Sequence, residues 1–151
     1  MNKMIPLKNT LTKVTFMLAL MIAILSCDQE KVLSADEYPN EVTSYVAKHF
    51  PNNAILQIVK DSDGMTKSYE VLLSENISLE FNRNKEVIDI DGKLKLPNSV
   101  IPENILQYVT TNYPEAYIVN WELDDRKQQV KLDNGLELEF DKNGSFLRLD
   151  N

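Results

Sequence analysis

Hydrophobic positions along this chain change period twice, in the same order each time. Val42, Tyr45, Val46, His49 and Phe50 recur at i, i+3, i+4, i+7 and i+8, one face of a helix. Pro39 opens that run and Pro51 stops it. Ile105, Tyr108, Val109 and Tyr113 repeat the face between Pro102 and Pro114, 63 residues later and without a gap. After each helix the period drops to two. Ile77, Leu79 and Phe81 oppose Ser78 and Glu80; Leu136, Leu138 and Phe140 oppose Glu137 and Glu139. Val71 and Leu73 oppose Glu70 and Leu72, and Val130 and Leu132 oppose Lys131.

These patterns predict strands over 54–60, 69–73, 77–81 and 86–90, then over 117–123, 128–132, 136–140 and 145–149. Asn134-Gly135 is a strong hairpin signal because both residues tolerate positive φ. Asp61-Ser62-Asp63-Gly64 and Asp141-Lys142-Asn143-Gly144 read as further turns. The late strands align at an offset of 59, and the missing four residues fall in the first hairpin, where indels are tolerated.

The expected architecture is α+β: a helix followed by a four-stranded antiparallel meander, used twice, over 38–92 and 93–151. A unit of that size is marginal alone, so the two should join edges into one continuous sheet of about eight strands. Both helices should lie on one face, leaving the other polar and open.

The N-terminus has a different pattern. Lys3, Lys8 and Lys13 precede an apolar run over 14–25, shorter than the ~20 residues a bilayer span needs. Residues 1–26 read as a lipoprotein signal peptide ending at Ile24-Leu25-Ser26, with Cys27 as the lipidated residue. Cys27 is the only cysteine, which excludes an intrachain disulfide. Residues 27–37 read as a polar tether. The expected address is the bacterial envelope, with membrane contact only through the anchor.

Charge then narrows the partners. Removing the three signal lysines leaves 13 basic and 23 acidic side chains, a formal charge of −10. That argues against nucleic acid and against charge-driven adhesion to anionic lipid, and is compatible with a basic partner.

Tyr38-Pro39, Phe50-Pro51, Tyr69-Glu70-Val71, Asn134-Gly135, Leu138-Glu139-Phe140 and the two Asp/Gly turns together resemble the PepSY-like family of exported bacterial proteins, also described as β-lactamase-inhibitor-like. The resemblance covers nearly all of residues 38 to 150. It implies a tandem repeat with helices packed on a sheet whose open face grips an enzyme, hence an inhibitor-like protein- or peptide-binding module, and it carries no inhibitor contact onto named positions.

Candidate chemistry is sparse. Asp61-Ser62-Asp63-Gly64 lacks the later Glu of a calcium loop, since Leu72 stands at position twelve. His49 is the lone histidine and has Asn112 as its counterpart. Glu80, Glu137 and Glu139 lie on the expected open face rather than in a cleft. No nucleophile elbow, phosphate loop or Cys/His cluster is present, so no catalytic residue, metal ligand or cofactor is assigned. Trp121 falls opposite Ile58 in the repeat and reads as core. The partner-binding face is expected to comprise Glu70, Leu72, Glu80, Val87, Lys131, Glu137, Glu139, Phe146 and Arg148, presented to an envelope protein or peptide. The alternative expectation is a sensor or small-ligand carrier, which requires a closed apolar cavity between helices and sheet.

Overall fold

The computed structural model describes residues 30–63 and 66–150. Among the described residues, nine antiparallel strands form one sheet in strict chain order: β1 (Lys31–Val32), β2 (Ile55–Asp63), β3 (Thr66–Leu73), β4 (Ile77–Phe81), β5 (Val87–Asp91), β6 (Ile118–Asp124), β7 (Lys127–Leu132), β8 (Glu137–Asp141) and β9 (Phe146–Asp150). Helix α1 (Asn40–His49) precedes β2, and α2 (Glu103–Asn112) precedes β6. Pro39 and Pro102 stand just before the first helical residue, and their carbonyls accept from Thr43 and Leu106. Phe50 and Tyr113 close the helices, each donating its backbone N–H at 2.8 Å to the carbonyl four residues back.

One row of side chains crosses eight strands on the helix side: Ile58, Val71, Leu79, Ile90, Trp121, Val130, Leu138 and Leu149. All but Leu149 are buried, and Val42, Val46, Ile105 and Val109 of the two helices pack into the same core. Burying each such side chain contributes roughly 1.5–3 kcal/mol. The halves are joined where β5 pairs with β6, Ile90 lying opposite Trp121. Each half also sets a tyrosine edge-on against a phenylalanine. The Tyr45–Phe81 centroids are 5.5 Å apart and the Tyr108–Phe140 centroids 5.4 Å. Trp121 keeps its polar atom satisfied inside the core by donating Nε1–H to Gln128 Oε1 at 2.9 Å.

Three expectations are corrected. The stretch 27–37 is not wholly a tether. Lys31–Val32 pairs with β2, Leu33 is buried, and Ser34 and Glu37 form a capping box over a 3-10 turn. These residues are the start of the first repeat: Leu33 and the turn at Ala35–Glu37 lie 63 residues before buried Leu96 and the turn at Asn98–Val100. That is why there are nine strands rather than eight. Cys27 itself lies outside the described residues. Second, Asp61, Ser62 and Asp63 are not a turn but continue β2, opposite Ser68, Lys67 and Thr66; Gly64 lies outside the described residues.

The third correction concerns Val87 and Phe146. Both belong to the helix side, not the open face. β5 and β9 each carry one extra residue, Ile88 and Leu147, so Asp89 faces Glu80 while Val87 faces Phe81, and Arg148 faces Glu139 while Phe146 faces Phe140. One inserted residue reverses the side on which later side chains emerge. Phe146 instead stacks on Tyr108 with centroids 4.6 Å apart, and Val87 packs against the core at the equivalent place.

Candidate interaction face of the sheet

The bulges and registers settle what lies on the face away from the helices. Two rows run across it. One is Gln57, Leu72, Ser78, Asp91, Asn120, Lys131, Glu137 and Asp150. The other is Val59, Glu70, Glu80, Asp89, Glu122, Gln129, Glu139 and Arg148. Glu70, Leu72, Glu80, Lys131, Glu137, Glu139 and Arg148 are thus brought together on one surface. Leu72 is an exposed apolar side chain in that surface, 43% accessible.

The two halves differ in electrostatics. In the second repeat the charges pair among themselves. Glu139 is nearly buried and accepts from Lys127 Nζ at 3.1 Å and Arg148 at 3.0 Å. These two hydrogen bonds hold its carboxyl below the usual range. Lys131 Nζ donates to Glu137 at 2.8 Å, and Gln129 reaches Asp150 at 3.2 Å.

Across the first repeat and the adjoining β6 the row is acidic on four neighbouring strands. Glu70, Glu80, Asp89 and Glu122 stand side by side, and among the described residues none has an ion-pair partner. Burial first, then the charges of Glu70, Glu122 and Asp61, push the Glu80 carboxyl up. Asp89 is pushed up to about 6, chiefly by burial. The Asn120 Nδ2–H donates to it at 3.1 Å and opposes the shift, while Glu122, Asp91 and Glu80 add to it. A concavity of about 380 Å³ lies over this half, lined by Gln57, Val59, Glu70, Leu72, Ser78, Glu80 and Asp89 among others.

Asp89 and Glu122 are not among the residues the sequence marks, and Asp61 enters it only as a turn residue. The signal was present at an offset of 59, where Glu80 matches Glu139 but Asp89 matches Arg148. Its meaning depends on the bulge that puts residues 89 and 148 on the open face. The remaining candidates are structural. His49 Nδ1 contacts Ser99 Oγ at 2.9 Å and its ring lies 4.5 Å from that of Tyr45, while burial, then Lys48, lowers its pKa. Among the described residues, no three His, Cys, Asp or Glu side chains converge as a metal ion requires, and no helix is long and apolar enough to cross a membrane.

The tandem architecture has a counterpart in known proteins. The model of the family described as "Putative beta-lactamase-inhibitor-like, PepSY-like" matches twice in tandem, over residues 7–89 and 67–148. The chain belongs to the PepSY-like family. Three solved structures are similar to this PepSY-like chain along nearly their whole length. A "putative periplasmic protein" of Bacteroides vulgatus is 31% identical with a TM-score of 0.77, over 83% of this chain and 99% of the other. A "putative calcium-regulated periplasmic protein" of Bacteroides thetaiotaomicron is 32% identical with a TM-score of 0.76, over 81% and 97%. A second B. vulgatus protein, described as a "putative periplasmic protein of unknown function", is 32% identical with a TM-score of 0.76, over 82% and 100%. No curated protein matches the chain.

Proposed function

We propose that this PepSY-like protein is a non-catalytic binding module of the bacterial envelope that grips a protein or peptide through the open face of its sheet. The observation that carries this reading is the one-sidedness of the fold. Both helices pack on one face, and the other exposes Leu72 among polar and charged side chains over a concavity. Large surfaces with an apolar centre and a charged rim suit macromolecular partners. The family description, inhibitor-like, points the same way. The small-ligand alternative has less support. Space beside α2, lined by Leu96, Ile101, Leu106, Val109 and Ile118 among others, amounts to about 30 Å³, which suits a single water rather than a metabolite.

The periplasmic descriptions of the similar structures agree with export. Cys27, at the end of the apolar N-terminal run, supplies the proposed lipid anchor. The test of the binding face is site-specific photocrosslinking in the envelope. A crosslinker at Leu72 should capture a discrete partner, and one at the exposed helix residue Gln107 should not. Equal capture at both positions, or none at Leu72, would refute the reading.

A further inference from the structure

Glu80 and Glu139 are equivalent residues, 59 apart, each central on its half of the open face. Glu139 is gripped by two cations of its own chain, Lys127 and Arg148. Around Glu80 the same positions carry Ser68 in place of Lys127, Glu70 in place of Gln129 and Asp89 in place of Arg148. The acceptor is kept and its cations are replaced by further carboxylates. The second repeat therefore displays what this arrangement binds, and the first repeats the acceptor with no cation of its own among the described residues.

We propose that the first-repeat half of the open face takes an extended basic segment of a partner, with Lys or Arg at alternate positions. This rests on the reading that the open face is the binding surface, and names the chemistry of what it binds. Like charges directly opposite one another on a sheet are destabilising, yet Glu70, Glu80, Asp89 and Glu122 lie on four consecutive strands. Asp61, on the same face, adds an oxygen, Oδ1, that is buried and has no hydrogen-bond partner among the described residues. Strands are about 4.8 Å apart, so the acidic row spans about 14 Å. An extended chain advances about 3.4 Å per residue, so basic side chains at i, i+2 and i+4 cover nearly the same length. Exposed Leu72 offers apolar contact to the methylene stems of lysines. A row fits such a segment better than a single divalent ion, because the carboxylates are strung out and no three converge.

The probe is a capped heptapeptide, Lys-Ser-Lys-Ser-Lys-Ser-Lys, titrated into the isotopically labelled protein, with the Glu-for-Lys peptide and calcium alone as comparisons. Amide shifts should concentrate at Glu70, Leu72, Glu80, Asp89 and Glu122. Affinity should fall at least about tenfold in the Glu80→Gln/Asp89→Asn double variant, from the loss of two charge contacts. Asp89→Arg, which restores the cation that the second repeat carries, should abolish binding while leaving the remaining spectrum folded. Lys131→Gln should leave it unchanged. Shifts spread over the helices, or unchanged affinity in both Asp89 variants, would overturn the proposal. So would calcium alone saturating the same residues while the basic peptide moves none. The partner crosslinked at Leu72 separates the two readings. If its capture depends on Lys131 and Glu137 but not on Glu80 and Asp89, the face reading stands and the basic-segment reading fails. If capture at Leu72 never occurs, the face reading fails.

Discussion

Asp89→Asn should make this protein more stable at neutral pH, although it removes a charged residue from a well-formed strand. The wild-type carboxyl is half-buried beside Glu80, Glu122 and Asp91, and its pKa is pushed from 3.8 to about 6. A folded-state pKa above the unfolded one means the folded protein holds the proton more tightly. The contribution to stability is full below the unfolded pKa and is lost as pH rises through about 6. The whole shift corresponds to about 3 kcal/mol, and solvent screening at a half-exposed site reduces this to roughly 1–2 kcal/mol. An asparagine keeps an oxygen to accept from Asn120 Nδ2, now 3.1 Å away, and has no charge to bury. Urea unfolding of both proteins should show the variant ahead by roughly 1–2 kcal/mol at pH 7.5, with the gap closing towards pH 4 as wild-type Asp89 is protonated in both states. A variant less stable than wild type at pH 7.5, or an advantage equally large at pH 4, would refute burial of a charged carboxyl, reinforced by its acidic neighbours, as the cause.

Five further outcomes follow from particular residues. Gly144→Ala should destabilise by roughly 2–4 kcal/mol in thermal or urea unfolding, because its Cβ would lie 2.9 Å from Asn104 Cβ at a φ of +82°. Gly135→Ala, at φ +87° in open space, should lose only about 1 kcal/mol. Lys85→Gly should gain roughly 0.5–1 kcal/mol by relieving φ 64° at the position equivalent to Gly144, net of one exposed pair with Glu41; a loss of stability would show that pair to outweigh the backbone. Trp121→Phe should cost about 1–3 kcal/mol, since buried Gln128 loses its donor, and Gln128→Leu added to it should recover part of the loss in a double-mutant cycle. Intact mass of the mature protein should begin at a diacylglyceryl-modified Cys27; an unmodified chain starting elsewhere would remove the anchor.

Much of the architecture was legible because its signals are local. A helix face needs only residues spaced three and four apart, and Val42, Val46, Ile105 and Val109 are all buried. Alternation around Leu79, Phe81, Leu138 and Phe140 likewise assigned those residues correctly to the core. Strand order within each meander followed from short turns, which leave no length for a crossover, whereas the β1–β2 and β5–β6 pairings span the two helices. The start of the first repeat was missed for a related reason. Residues 31–37 are polar in composition, and only buried Leu33 packs inward. Its match to Leu96, 63 residues on, carries no periodicity of its own to draw attention to it.

The open face was legible only up to the bulges. Glu70, Glu80, Glu137 and Glu139 followed from alternation alone. Val87 and Phe146 were placed on the wrong side because Ile88 and Leu147 each insert one residue, and a single insertion reverses every side chain beyond it. The same insertions bring Asp89 beside Glu80 and Arg148 beside Glu139. The amino-acid sequence by itself determined the helices, the meanders and their duplication, because each depends on neighbours within a few positions. Only the tertiary structure decided which carboxylates stand together and which have a cation, because that depends on the register of strands far apart in the chain. A charge's environment is set across the sheet, not along the strand. That is why the second repeat pairs the charges around Glu139 while the first repeat, together with Glu122 of β6, presents a row of acids.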